Sequence, residues 1–292
     1  MNAREMCKPL LFLVLGTFTA LTMSCGSSPG GVSESDQSIM IKGSDTMLHL
    51  VTAWADAYMS QHPEVSISVT GGGSGTGIAA LLNGTTDLCA SSREVKEEEI
   101  KLAQQKGLNL NVVPVARDAI TVIVNPQNPV SELTVEQLKK IYTGAYKTWD
   151  QVGGPAEPIV VLSRESSSGT YVFFLEHVLN KEDYTKDSLL LPATSAMIQS
   201  VTDSPNAIGY VGLGYAEEAA DKVKMLSVKR DSSSPAVAPS TETVLSGEYS
   251  LARPLNLASS GDSTGAVKTF IDFCLGPEGQ ALVAETGYVS VQ

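Results

Sequence analysis

Residues 65–96 read VSISVTGGGSGTGIAALLNGTTDLCASSREVK, and this stretch decides the fold class. Val65, Ile67 and Val69 alternate with polar residues as a half-buried strand does. Gly71 to Gly77 carries too much glycine for regular structure and reads as a loop, after which Ile78 to Leu82 is a short helical run stopped by Asn83-Gly84. Thr86 to Ala90 is a second strand, followed by Ser91-Ser92-Arg93 and a charged helix from Val95 to Gln105 that ends at Gly107. Strand, polar turn, helix and strand in that order is the repeating unit of a parallel sheet.

The same unit extends in both directions. Upstream, Ser38 to Lys42 predicts a strand that leads through Gly43-Ser44-Asp45-Thr46 into a helix, where Met47, Val51, Trp54, Ala55 and Tyr58 mark the buried face and His62-Pro63 the end. Downstream, Asn111 to Asn125 is apolar over about twice the length of an ordinary strand, which suits a strand passing from one lobe into another. The pattern then restarts with a helix at Leu133 to Tyr142, where Thr134 and Gln137 form a capping box. A strand at Ile159 to Ser163, helices at Thr170 to Leu179 and Thr194 to Val201, and a strand at Ala207 to Val211 follow. The chain returns through Lys224 to Val228, a Ser/Pro-rich loop, a strand at Arg253 to Leu257 and closing helices between Gly265 and Thr286. We expect two α/β lobes with mainly parallel sheets flanked by helices. Residues 38–118 open lobe 1, 119–224 form lobe 2, and 225–292 return to lobe 1.

Before Ser38 the chain reads as an address. Arg4 and Lys8 precede an apolar run from Leu10 to Leu21 that is short for a bilayer span, so residues 1–24 are expected to be a signal peptide. Leu21-Thr22-Met23-Ser24-Cys25-Gly26 approximates a lipobox, although Leu21 stands one place further from the cysteine than usual. Cys25 is therefore the expected lipidation site, and residues 25–37, rich in Gly, Ser and Pro, a flexible tether to the membrane. The whole chain carries a formal charge of −12, and removing residues 1–24 takes a further net +1 away. An acidic chain without a basic run is not a nucleic-acid binder. Any small anion must be held by local dipoles and a few cations. Beyond the tether only Cys89 and Cys274 remain. Export permits a bridge between them, but Cys274 shares an apolar helical stripe with Val267, Phe270 and Ile271, which favours buried free thiols. The three histidines are scattered, so neither a metal centre nor a cofactor is expected.

Four hydroxyl- and glycine-rich clusters occupy the turn between a strand and a helix: residues 43–46, 71–77, 90–93 and 164–170. In open α/β sheets such turns gather along one crevice, and helix starts facing it offer free backbone N–H groups and partial positive charge. Ser44, Ser74, Ser92, Ser168 and Thr170 add hydroxyl donors, while Arg164 and Arg93 add guanidinium forks suited to a tetrahedral oxyanion. Any one cluster taken alone reads first as a simple helix cap, and it is the four together that point to a site. Gly71 to Gly77 lacks the Lys-Ser/Thr ending of a nucleotide-binding P-loop.

The sequence resembles the phosphate-binding proteins of bacterial phosphate ABC transporters. GSDTM at 43–47, TGGGSGTGIAALLNGTTDL at 70–88, ASSREVK at 90–96, LTVEQLKKIYTGAYKTWDQVGG at 133–154, SRESSSGTYVFF at 163–174, AIGYVGLGY at 207–215 and FIDFCLGPEGQALVAETGYV at 270–289 carry the likeness. The resemblance implies a two-lobe periplasmic-binding-protein fold of type II (Venus flytrap) that buries inorganic phosphate and delivers it to membrane permease subunits. It implies phosphate contacts from Ser44, Asp45, Thr46, Ser74, Ser92, Arg93, Arg164, Ser168, Gly169 and Thr170. The family carries an aspartate where Ser92 stands, as acceptor for the proton of hydrogen phosphate. Asp45 is the only carboxylate in the first-lobe turns and is expected to take that role. Two alternatives stand beside this reading: the same fold holding sulfate or molybdate, and a hydrolase or phosphatase. The latter has abundant serines but no histidine in any cluster. The protein is expected to be a lipid-anchored, extracytoplasmic monomer with no catalytic residues.

Overall fold

The computed structural model describes residues 38–292; the expected signal peptide, tether and Cys25 lie outside the described residues. The first lobe begins with β1 (Ser38–Gly43), α1 (Leu48–Gln61), β2 (Ser66–Thr70), α2 (Ser74–Leu82), β3 (Leu88–Ser91) and α3 (Glu97–Gln105). β1 lies parallel to both β2 and β3. Its alternation buries Ile39 and Ile41 against Leu50, Val51, Trp54 and Tyr58 of α1, the face that the helical period marked. The Trp54 indole N–H is satisfied by the Gly279 carbonyl at 2.7 Å.

β4 (Leu110–Val124) runs through both lobes as a single 15-residue strand. Val115 and Ala116 pack in the first core, Ile120, Val122 and Val124 in the second. Lobe 2 contains β5 (Glu132–Thr134), α4 (Val135–Tyr142), β6 (Val160–Arg164), α5 (Gly169–His177), β7 (Leu189–Leu191), α6 (Thr194–Asp203), β8 (Ala207–Gly212), α7 (Leu213–Glu218), β9 (Lys224–Met225), β10 (Ser227–Lys229) and α8 (Thr241–Leu245). The Thr134–Gln137 capping box opens α4 as its sequence predicts. β6 is parallel to β7 and β8, and β8 is antiparallel to β4.

β11 (Ala252–Ser260) then crosses back, antiparallel to both β3 and β4, and α9 (Gly265–Leu275) and α10 (Pro277–Glu285) close lobe 1. The strand order is β2-β1-β3-β11-β4-β8-β6-β7, with β9 also on β4. The outer strands of each lobe are parallel, and the crossing strands β4 and β11 are antiparallel to each other.

One boundary differs from the sequence division. Residues 225–251 do not belong with lobe 1: β10 pairs with β5, and Val228, Val244, Tyr249 and Leu251 are buried among Leu133, Tyr142 and Phe174. The return begins at Ala252, where the chain enters β11. A second difference is α2, which starts at Ser74 inside the presumed loop. Gly73, at φ 98°, supplies the left-handed turn that launches it. Cys89 and Cys274 are free and buried, in different apolar clusters.

Candidate anion-binding site

Each strand of the parallel sets ends in a turn at the crevice between the lobes, and the buried hydroxyls lie there. Ser44 and Thr46 follow β1, Ser74 opens α2, Ser92 follows β3, and Ser168 and Thr170 open α5; all are at most 3% exposed. Ser44 Oγ donates to Ser92 Oγ at 2.9 Å. Ser92 donates its backbone N–H to Ser74 Oγ at 3.1 Å, and the Ser74 and Ser92 hydroxyls are 3.4 Å apart. Across the crevice, the Thr46 and Thr170 hydroxyls meet at 2.9 Å, and Gly75 N–H donates to the Ser167 carbonyl at 2.9 Å. Ser168 caps α5 by accepting from Tyr171 N–H. Ser168 is thus a true cap, whereas the N-cap residues of α1, α2 and α3 make no side-chain cap bond, and the Thr46 and Thr170 hydroxyls face each other across 124 residues of sequence.

Gly169 has no room for a side chain. A Cβ there would stand 2.3 Å from Ser74 Oγ and 2.7 Å from Ser92 Oγ, so the start of α5 lies directly against the first-lobe serines. Two helix N-termini, those of α2 and α5, thus meet the same hydroxyl cluster, and both bring N–H groups with no intrahelical partner.

Three buried arginines lie in or beside these turns, each with a carboxylate next to it, and Arg164 spends its donors on the 191–194 turn rather than on the cluster hydroxyls. Arg164, 3% exposed, donates through Nε to Leu191 O (3.2 Å), Nη1 to Thr194 Oγ1 (2.9 Å) and Nη2 to Pro192 O (2.9 Å). Its Nη2 is 3.5 Å from Asp45 Oδ2. Burial pulls the Arg164 guanidinium below its usual range, with Asp45 opposing that shift. Asp45 itself links the lobes: its Oδ2 accepts from Thr194 N–H at 2.7 Å and Thr194 Oγ1 at 2.8 Å. No hydrogen bond reaches Asp45 Oδ1 among the described residues, and that oxygen faces the Gly71 turn.

Arg93 is turned toward its own lobe. It forks onto Glu99 at 2.9 and 2.7 Å, the partner in the acidic helix that follows it. Burial alone would raise the Glu99 carboxyl, but hydrogen bonds from Arg93 and Lys96 N–H hold it below its usual value. Arg93 Nη2 still lies 3.7 Å from a Cβ position on Gly75, at the edge of the cluster.

The third arginine, Arg253, is the one the turn motifs do not reveal. Its side chain and that of Asp118 are fully buried, and the two form a forked pair at 3.0 and 2.7 Å. Nη1 continues to Ser92 O at 2.9 Å and Thr170 Oγ1 at 3.1 Å. A charge on the buried face of an apolar strand needs a buried partner, and both Asp118, beside Arg117 in VVPVARDAITVIV, and Arg253, in LARPLNL, carry that signal in the sequence.

Among the described residues no histidine stands beside the cluster hydroxyls, and the carboxylate in the first-lobe turns is Asp45. His49 stacks on Tyr215 and faces Glu218, His62 faces Glu64, and His177 bonds the Phe173 carbonyl, so no histidine joins a serine of the cluster. No group of three or more His, Cys, Asp or Glu is arranged to hold a metal among the described residues. Such an arrangement can desolvate and surround a small oxyanion.

The sequence model of the PBP superfamily domain matches residues 29–278. A phosphate-binding protein PstS of Staphylococcus epidermidis is 34% identical over 286 residues, covering 95% of this chain and 86% of that one. Its counterpart from Staphylococcus aureus is 34% identical over 281 residues, covering 93% and 84%. Among solved structures, that of a protein assigned as a phosphate ABC transporter substrate-binding protein from Clostridium perfringens, with bound phosphate, superposes with a TM-score of 0.79. It is 34% identical, and the alignment covers 87% of this chain and all of that one. An ABC-type phosphate transport receptor from Vibrio cholerae superposes at 0.70 with 31% identity, covering 86% and 99%.

Proposed function

The chain belongs to the PstS phosphate-binding proteins of the PBP superfamily, and from that premise we propose that it captures inorganic phosphate between its lobes and passes it to an ABC importer. The observation that carries this reading is the convergence of six hydroxyls from four separate turns, Ser44, Thr46, Ser74, Ser92, Ser168 and Thr170, on the start of α5. Phosphate contacts are assigned to these residues, to the N–H of Gly169, to Arg164, and to Asp45 and Arg93 at the rim. A dry shell of fixed dipoles replaces the hydration of the anion only when the lobes are together. Ligand binding and closure are then one equilibrium, and the closed form is the one a permease can distinguish.

Selection of hydrogen phosphate over sulfate is assigned to Asp45 Oδ1. A carboxylate oxygen accepts the P–OH proton and repels an anion that has none. With no histidine beside the serines among the described residues, the reading is a binding protein without turnover. The chain is held outside the cytoplasm as a monomer by a lipid on Cys25, joined to the folded part by residues 26–37. Calorimetric titration of residues 38–292 with phosphate and then sulfate, at fixed pH and salt, tests the reading. Saturable one-to-one phosphate binding supports it, and the absence of a phosphate heat and of a melting shift refutes it.

A further inference from the structure

We infer that Arg253, fixed by Asp118, is a positioning residue for anion capture: it sets the Thr170 hydroxyl as a donor toward the anion and ties the turns of both lobes to the crossing strands. The inference rests on the phosphate-binding reading above. Arg253 on β11 and Asp118 on β4 are direct partners in the antiparallel ladder, at the place where the chain passes between lobes. Asp118 is held from both sides, its Oδ2 by Nε and Nη2 of Arg253 and its Oδ1 by Leu213 N–H at 2.9 Å. That leaves Nη1 free to reach out of the ladder, to the Ser92 carbonyl of lobe 1 and the Thr170 hydroxyl of lobe 2.

A guanidinium only donates. Thr170 Oγ1 must accept from Arg253, so its single proton has to point elsewhere. In the structure its other neighbour is Thr46 Oγ1 at 2.9 Å, and a phosphate oxygen arriving there is a stronger acceptor than a neutral hydroxyl. Donation from a cation also polarises the O–H, which strengthens its onward bond. The Arg253–Asp118 pair has no net charge, so its influence on the anion is directional and short-ranged. A buried pair kept for stability alone is generally replaceable by apolar side chains. The bridge from Nη1 to both lobes is what distinguishes this one.

The test is a double-mutant cycle on residues 38–292, read by phosphate titration and by thermal melting without ligand. The neutral pair Arg253→Gln/Asp118→Asn removes both charges together, and Thr170→Val removes the hydroxyl while keeping the shape. Each is expected to weaken phosphate binding at least about tenfold, the range for losing a hydrogen bond to a charged group. Combined, they are expected to lose little more than the larger single effect, because the second change removes an interaction already gone. Wild-type affinity in a normally melting neutral pair, or losses that multiply, would overturn the proposal while leaving phosphate capture intact. Failure of the wild-type chain to bind phosphate would instead sink the function itself. Should the neutral pair not fold, Arg253→Lys takes its place in the cycle, since it keeps a charge on Asp118 but lacks the Nη1 branch.

Discussion

Replacing Gly169 with alanine separates affinity from stability. The added Cβ would stand 2.3 Å from Ser74 Oγ and 2.7 Å from Ser92 Oγ, where ordinary contact begins at 3.4 Å. Ser74 is fully buried and anchored by Ser92 N–H, so it has nowhere to turn. The lobes must part by about 1 Å to accept the methyl group, because overlap at that distance is strongly repulsive. Such a shift takes the Thr46–Thr170 bond and the Gly75–Ser167 bond, both 2.9 Å, beyond useful length. At about 1 kcal/mol for each, with a similar loss from lengthened donors on the anion, closure weakens by about 3 kcal/mol, or roughly 150-fold in affinity. The ligand-free protein can relieve the overlap by opening, and alanine suits the first helical turn better than glycine. Calorimetry should therefore give a phosphate dissociation constant about two orders of magnitude higher in Gly169→Ala, with the melting temperature of the ligand-free protein unchanged or raised. A dissociation constant within threefold of wild type would refute the placement of α5 against the serines.

Asp45→Asn should lower the preference for phosphate over sulfate about tenfold, roughly the value of one hydrogen bond to a charged group, and competition titration would show it. Unchanged discrimination would remove Asp45 from the acceptor role. Burial pushes the Cys89 thiol up to about 12, with Arg93 working against the shift. An unfolded thiol ionises near about 8.5, so above that pH the unfolded chain holds fewer protons than the folded one and stability falls until the folded thiol itself ionises. Denaturant titrations across that alkaline window should show a shallower decline in Cys89→Ala. Cys25→Ser should abolish incorporation of labelled palmitate and release the protein from membrane fractions; retention of the label would end the lipoprotein reading.

The turns were legible because each combines glycine, hydroxyl and a following helical period within a few residues, so local chemistry and the crevice rule of parallel sheets are enough to group them. Arg253 and Asp118 escaped that reasoning. They lie 135 residues apart and belong to no turn, and only their charge inside apolar strands marks them. The start of α2 was missed because glycine content argued for loop, whereas Gly73 is there to enter the helix and to pass the Ser167 carbonyl, 2.5 Å from where its Cβ would be. The boundary at 225 failed for a different reason: Lys224 to Val228 has the composition of any strand, and pairing of β10 with β5 is a long-range choice that no local pattern encodes. The orientation of Arg93 was also a local matter, settled by Glu99 six positions on.

The place of β11 in the sheet has a bearing on how the molecule can be made. It sits between β3 and β4, in the middle of the first lobe, yet it is the last strand in the chain. As the polypeptide is made from its N-terminus, most of the lobe 2 core is present by residue 251, Val289 excepted, while the earlier-made half of lobe 1 still has an empty slot at its centre. A chain truncated before Ala252 therefore has unpaired edges on both β3 and β4, and the sheet of lobe 1 cannot close until its last strand is made.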